Sequence, residues 1–181
     1  MKTDEKNYNY WQNVFDSHGG YMLAAEHNEY AILRDLILTF VDDRESILDL
    51  GCASGGTYDW IKEKKRKVTY KGTDYAEKFI EANRKRHPNI IWEVEDCRQL
   101  AEEDGEFDVV VLYDVLDGLD GWHKAIEEAR RVAAKKVIVL MWCDAGMDDK
   151  RAYMEELGLS VLDLKIEGNI HFHRMLVGFK L

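Results

Sequence analysis

The chain has one proline in 181 residues and three cysteines. So little proline excludes a proline-rich linker or polyproline segment. An odd number of cysteines without metal-ligand spacing excludes a disulfide framework and points to a reducing compartment. No apolar run approaches the ~20 residues of a membrane-spanning helix. The opening residues, Met1 to Asn7, are polar and carry no apolar signal core. A soluble, cytoplasmic protein is therefore expected. Positive charge is also scarce. The net charge is −10, and the one basic run is Lys62 to Lys67. Duplex binding rests on phosphate neutralisation by clustered Lys and Arg, so a nucleic-acid partner is disfavoured. The basic run falls where a helix should end, a position at which the helix dipole favours cations. Internal repeats and low-complexity tracts are absent.

What is present suits one α/β domain with a sheet-centred core, since 46% of the residues are hydrophobic. Residues 4–17 read as a helix stopped by Gly19-Gly20, with Trp11, Val14 and Phe15 as its apolar face. Residues 27–41 read as a second helix, with Ile32, Leu33, Leu36, Ile37 and Phe40 at helical spacing facing a core. Strands follow at 46–50, 68–72, 90–95, 107–112 and 137–141, with helices at about 54–65, 76–86, 122–133 and 149–157. The helix at 76–86 stops ahead of His87-Pro88, as the residue before proline requires. Val109-Val110-Val111-Leu112 is apolar on both faces, the pattern of a covered parallel strand. Beyond Gly158 the alternation ends. Residues 160–166 and 172–180 are two strands with no room for a helix between them, so they must be antiparallel.

Ligands of open parallel sheets sit beyond the carboxyl ends of the strands. The first strand delivers Asp49 and then Gly51-Cys52-Ala53-Ser54-Gly55-Gly56. This is not the dinucleotide fingerprint, which needs glycine where the chain has Ala53. A carboxylate at that point repels a pyrophosphate and attracts an ammonium group. The second strand delivers Asp74, placed to accept two ribose hydroxyls, or to cap a turn. Tyr75 either stacks on a base or covers the sheet end. The third delivers Asp96, Cys97 and Arg98, and the fourth Tyr113 and Asp114. Glycine at 51 and 55 fits close backbone approach to a ligand, while Gly56 serves helix packing.

The ordered set Ile47-Leu48-Asp49-Leu50-Gly51, Gly72-Thr73-Asp74, Glu95-Asp96-Cys97, Phe107 to Leu112 and Ala125 to Val132 resembles the motif series of class I S-adenosylmethionine-dependent methyltransferases. The resemblance covers residues 46 to 181. It departs at Ala53, which replaces a glycine, and at Ala133-Ala134-Lys135-Lys136, which replaces a Pro-Gly-Gly turn. The resemblance implies a Rossmann-like α/β methyltransferase fold: a mostly parallel seven-stranded sheet, a C-terminal antiparallel hairpin and helices on both faces. Residues 1–45 would be a helical, substrate-side lid segment and 46–181 the cofactor-binding core. The cofactor would be S-adenosylmethionine, leaving as S-adenosylhomocysteine, with no metal. The cofactor-binding candidates are Asp49, Gly51, Cys52, Ala53, Ser54, Gly55, Asp74, Tyr75, Asp96, Cys97, Arg98 and Tyr113. Cys52 and Cys97 would line the cavity rather than react.

The expected activity is methyl transfer to an O, N or C nucleophile of a small molecule by in-line displacement, with no membrane partner. Positioning can supply much of such a rate, so no strong acid or base is required. If a proton must leave, His18, Tyr21, Asp114, Asp117 and His173 are the candidates, with His171 sharing a strand face with His173. Each has an ordinary structural alternative: Asp114 and Asp117 as helix caps, and the two histidines as exposed strand-edge residues. The aromatic N-terminal block (Tyr8, Tyr10, Trp11, Phe15, His18 and Tyr21) reads either as a lid over a cation or as helix packing. Cys143, after the fifth strand, lacks the companion Pro-Cys of cytosine-modifying enzymes. Two rivals remain: a methyltransferase-like subunit that binds the cofactor or a partner without catalysis, and a nucleotide-dependent oxidoreductase. A homodimer or a protein partner is compatible with either.

Overall fold

The computed structural model describes residues 10, 13, 15, 16, 28–141, 146–167 and 172–181. In chain order these form α1 (Asn28–Thr39), β1 (Ser46–Leu50), α2 (Gly56–Glu63), β2 (Thr69–Asp74), α3 (Glu77–Arg86), β3 (Ile91–Val94), β4 (Phe107–Tyr113), α4 (Trp122–Val132), β5 (Ala133–Met141), α5 (Met147–Glu156), β6 (Leu159–Glu167) and β7 (Phe172–Lys180). Among the described residues, seven strands form one sheet in the order β3-β2-β1-β4-β5-β7-β6. β1 to β5 pair in parallel. β7 pairs antiparallel with both β5 and β6, so it is the reversed strand. The antiparallel ending expected from the missing helix is present, and the strand order reverses direction at β1, between β2 and β4.

The two faces of the sheet bury separate sets of side chains. Leu48, Leu50, Val110, Leu112, Val137 and Val139 pack under α4 and α5. Ile47, Val109, Val111, Ile138 and Leu140 pack on the other side with Leu33, Ile37, Ile61 and Ile80 of α1, α2 and α3. This is strand alternation in a sheet covered twice. α1 and the residues just after it bring Leu33, Ile37, Leu38 and Val41 into this core. Ile32, expected inside, is 61% exposed: it stands beside Leu33 on the helix, where the apolar stripe is too narrow to turn both inward. β5 begins at Ala133, with α4 ending at Val132 and no loop between them. The stretch read as a turn is strand because Lys135 and Lys136 reach back to Glu45 ahead of β1. Gly158, at φ 81, follows α5 as the expected stop.

One pair of residues locks the β2–β3 seam. Gly72 lies opposite Trp92 in the register. A Cβ on Gly72 would stand 2.4 Å from the indole ring and 3.1 Å from Cys52 Sγ. The indole cannot swing clear, because its N–H donates to the His87 carbonyl at 3.2 Å and the ring is buried. Gly72→Ala is therefore expected to destabilise by about 1–3 kcal/mol through overpacking. Urea denaturation measures this loss, and Gly72→Ala combined with Trp92→Leu should regain part of it. Equal stability of Gly72→Ala and the parent would contradict the packing described.

Candidate functional site

Asp49 leaves β1 on the face covered by α1 to α3 and is 2% exposed. The Tyr70 hydroxyl donates to Asp49 Oδ2 at 2.6 Å. Burial raises the carboxyl from 3.8 to about 6, against hydrogen bonds from Tyr70 and Thr57 and the nearby charge of Arg34. A carboxyl desolvated to this degree, at a strand end, marks a candidate functional group.

The loop after Asp49 is fastened at each turn. Cys52 N–H donates to the Thr73 carbonyl at 2.9 Å. Ala53 takes a left-handed φ of 43; its N–H donates to Asp74 Oδ2 at 2.9 Å, and its carbonyl accepts from Asn83 Nδ2 at 2.7 Å. The residue standing in place of a glycine thus keeps a glycine-like conformation, clamped from β2 and α3. Gly51 and Gly55 also have positive φ, 70 and 74. A Cβ at 51 would lie 2.5 Å from Val115, and one at 55 would lie 2.9 Å from Trp92. Close approach is real at both glycines, but the approaching groups on these sides are the protein's own. A Cβ at Gly56 would fall 2.5 Å from the Arg34 guanidinium, so Gly56 clears space for a buried cation. Ser54 is buried, and its carbonyl accepts from Arg86.

At the end of β2, Asp74 is buried and spans two backbone donors: Oδ1 accepts Ala76 N–H at 2.8 Å and Oδ2 accepts Ala53 N–H at 2.9 Å. Burial raises its carboxyl to about 6. The structural reading of Asp74 as a turn residue is thus realised, and it ties the β1 loop to the β2 exit. Burial also raises the half-buried Tyr75 phenol. Beyond β3, Asp96 accepts Arg98 N–H at 2.9 Å and the Arg98 guanidinium on both oxygens. Burial alone would raise Asp96, but the Arg98 hydrogen bonds and charge hold it below the usual carboxylate range. Cys52 and Cys97 are desolvated: the Cys97 thiol is pushed up to about 12 and Cys52 is raised well above its ordinary value. Neither is a thiolate nucleophile at neutral pH.

At the end of β4, the Tyr113 ring lies 6.0 Å from the Arg34 guanidinium carbon, and Asp114 adopts φ 55 while its N–H donates to the Leu140 carbonyl at 2.8 Å. Val115 and Leu116 then turn inward, and Asp117 is exposed. Arg98 Nη1 reaches across to the Asp120 carbonyl at 3.1 Å, joining the β3 and β4 exits. His173 is buried, which replaces the reading of an exposed edge histidine. β7 is an inner strand between β5 and β6, so its opening residues are covered on both sides. His18, Tyr21, Cys143 and His171 lie outside the described residues, as do Tyr8, Trp11 and Val14. Of the N-terminal aromatics, Tyr10 is exposed, and Phe15 stands edge-on to Phe79 of α3 with ring centres 5.2 Å apart.

Sequence reasoning missed Arg34, Tyr70 and Asn83. Arg34 is 4% exposed and lies in the 33-34-37-38-41 stripe that faces the sheet. An arginine inside an apolar helix stripe is the signal that could have marked it. Asn83 carries the same signal on α3, beside buried Phe79 and Ile80. Among the described residues, the acidic group with metal-ligand spacing is Glu93, Glu95 and Glu102. The Lys71 ammonium sits in it, 2.5 Å from both Glu93 and Glu102, so the protein supplies the cation there.

Residues 47–136 match the family model described as a methyltransferase domain. The human thiol S-methyltransferase TMT1B is 29% identical over 148 residues, covering 73% of this chain and 60% of the relative. The chain thus spans about three fifths of that relative's length. Solved structures agree in fold. A putative methyltransferase in complex with the Haloferax volcanii Trm112 activator superposes with TM-score 0.75 at 14% identity, over 95% of this chain and 96% of that one. A putative S-adenosylmethionine-dependent methyltransferase from Methanococcus maripaludis gives 0.70 at 14%, over 94% and 91%. With the strand order, the reversed β7, the β1 loop and this match in agreement, the chain belongs to the class I S-adenosylmethionine-dependent methyltransferase family.

Proposed function

We propose that the protein transfers the methyl group of S-adenosylmethionine to a small-molecule nucleophile. The single observation carrying this reading is the buried carboxylate Asp49 beside a glycine loop, with Asp74 and Asp96 at the next two strand ends. The chemistry of these groups fits the cofactor. Asp49 would accept the tail ammonium, Asp74 the ribose hydroxyls and Asp96 the adenine amino group, with Gly51, Cys52, Ala53, Ser54, Gly55, Tyr75, Cys97, Arg98 and Tyr113 completing the walls. When bound, the cofactor supplies an electrophilic methyl on a cationic sulfur, and the incoming nucleophile forms its bond to carbon as the carbon–sulfur bond breaks in line. The protein's task is then to orient and to exclude water, which can lower a barrier by about 7–11 kcal/mol. Residues 1–45 would cover the acceptor side, and the β4 exit with Asp114 and Asp117 would border it. His18, Tyr21 and His173 remain candidates for taking a proton.

The relative's name adds sulfur to the acceptors worth testing. A thiol ionises near pH 8.5, so it needs less help from a base than a hydroxyl does. This suits a site whose described residues hold no assembled acid–base pair. The compartment in which the protein works is proposed to be the cytoplasm; among the described residues no helix is long and apolar enough to cross a membrane. A second reading, a cofactor-binding subunit completed by a partner protein, draws support from the activator complex of the structural neighbour.

Two measurements test the proposal. In thermal-shift assays, S-adenosylhomocysteine at a hundredfold over its dissociation constant should stabilise by about 2.7 kcal/mol, and NAD should do nothing. With methyl-labelled cofactor and a panel of small thiols, alcohols and amines, label should appear in a small molecule. Stabilisation by NAD instead, or label confined to macromolecules, would overturn the substrate class.

A further inference from the structure

β6 ends the strand order on the side away from β1, β2 and β3. Among the described residues its inner edge pairs with β7 and its outer edge with no strand. A row of backbone N–H and C=O groups therefore faces outward along Leu159–Glu167. Native edges are usually blunted by proline, a bulge or short length. β6 has 9 residues, no proline, no glycine and an unbroken register with β7. Its side chains divide by parity. Leu159 and Val161 join the core under α4 and α5. Leu164 and Ile166 pack at the margin of the other core, and Leu162, on their face, is 40% exposed. The charges lie on the odd-numbered face. Asp163 accepts from Arg174 Nε at 2.8 Å and lies 3.3 Å from Arg151 Nη1. Arg174 also holds Asp148 at 2.6 Å, and Arg151 holds Glu155 at 3.0 Å. Three carboxylates against two guanidiniums leave this cluster one cation short. Lys165 is exposed, stands opposite Arg174 in the register and has no ion pair among the described residues. One strand thus carries an unmatched cation two residues from an anion-rich cluster.

We propose that β6 pairs antiparallel with β6 of a second copy of this chain, centred on Leu164, so that two sheets become one. Residues opposite each other share a face of the sheet, so a two-fold pairing of a strand with itself centres on one residue. Centred on Asp163 or on Lys165, the strand sets a charge against its own copy. Centred on Leu162, it sets Lys165 opposite Leu159 and Asp163 opposite Val161, and neither charge is matched. Centred on Leu164, it sets Asp163 opposite the partner's Lys165 and Lys165 opposite the partner's Asp163. Each cluster then gains the cation it lacks. The same register lays Leu162 against the partner's Ile166 and Leu164 against the partner's Leu164, which carries the apolar stripe across the axis. Both open backbone edges are covered in one step. The crevice at the exits of β1, β2 and β3 lies toward the other edge and stays open.

Sedimentation velocity over a wide concentration range tests the assembly, and engineered cysteines test its register. The parent should sediment as a dimer that dissociates on dilution. Lys165→Asp places two like-charge pairs across the axis and should raise the dimer dissociation constant at least about tenfold. Circular dichroism checks that this variant folds. Leu164→Cys would stand opposite its own copy, about 4.5–5.5 Å away between Cα atoms and inside the span of a disulfide. It should cross-link under mild oxidation. The parent and Leu162→Cys should not, whereas Leu162→Cys combined with Ile166→Cys should. The cross-linking result stands alone if Lys165→Asp does not fold. A parent that stays monomeric at every concentration would leave this edge to a strand of a different protein and overturn the proposal. A dimer indifferent to a folded Lys165→Asp, or one in which Leu164→Cys cross-links no better than Leu162→Cys, would overturn it equally.

Discussion

Asp49→Asn should leave the ligand-free protein no less stable while weakening S-adenosylhomocysteine binding by at least about 30-fold, the lower end of what truncating one partner of a buried charge pair costs, about 2–5 kcal/mol. The two effects have one origin. Asp49 is desolvated, and its carboxyl rises from 3.8 to about 6. That shift corresponds to about 3 kcal/mol of penalty on the ionised form at neutral pH. Asparagine removes the charge and the penalty, keeps one oxygen for the Tyr70 hydroxyl, and preserves the volume. The donors from Tyr70 and Thr57 will not both be satisfied by the amide, which trims the gain. The sign with pH is fixed. A carboxyl whose folded value is raised contributes stability that is full below its unfolded value and is lost as pH rises through about 6. The advantage of Asp49→Asn over the parent should therefore grow between pH 4 and pH 7. Denaturation at several pH values and calorimetry with S-adenosylhomocysteine measure both halves. A variant that loses stability at pH 7 and keeps its affinity would reverse the role assigned to Asp49.

S-adenosylhomocysteine affinity in the parent should itself fall steeply in acid. Asp49 accepts an ammonium only when ionised, and ligand binding must then release a proton wherever the free carboxyl is protonated. With a carboxyl at about 6, affinity should drop about tenfold at pH 5 relative to pH 8 from this group alone. Asp74, also raised to about 6, adds to the drop if the ribose hydroxyls require its ionised form. The groups facing Asp49 from the packed elements are Arg34 of α1, Thr57 of α2, Tyr70 and Asp74 of β2 and Cys52 of the loop. Of these, Asp74 is also raised to about 6, whereas Tyr70 and Cys52 are raised away from the range between pH 5 and 8. Calorimetry in buffers of different ionisation enthalpy counts the protons released, and Asp49→Asn should flatten the profile. A pH-independent affinity in the parent would contradict an ionisable tail partner at this position.

What could be read from the sequence follows a physical divide. The order of the elements and the sheet's reversed strand came from local pattern: β1 at Ser46–Leu50 lies where the apolar run and the glycine loop place it, while β5 starts at Ala133, ahead of the expected 137. The carboxylates were legible because each sits at a strand exit, a position set by chain order alone. Partners were not legible. Tyr70 reaching Asp49, Asn83 gripping Ala53 and Trp92 filling the space over Gly72 all depend on which side chains meet across twenty or more residues. The glycines illustrate the limit well. Their need for close approach was readable, but the approaching groups at Gly51, Gly55 and Gly56 are Val115, Trp92 and Arg34. Helical periodicity likewise marked α1 without fixing the width of its buried stripe, so Ile32 was turned inward on paper and faces solvent in the fold. The candidate bases His18 and Tyr21 lie outside the described residues.

A crystal structure with S-adenosylhomocysteine tests the central claim most directly. The account predicts density in the crevice at the ends of β1, β2 and β3. The tail ammonium should lie within hydrogen-bond reach of Asp49, the ribose hydroxyls at Asp74 and the adenine amino group at Asp96. A ligand seated elsewhere on the chain, or one lying in this crevice with its ammonium turned away from Asp49, would contradict it.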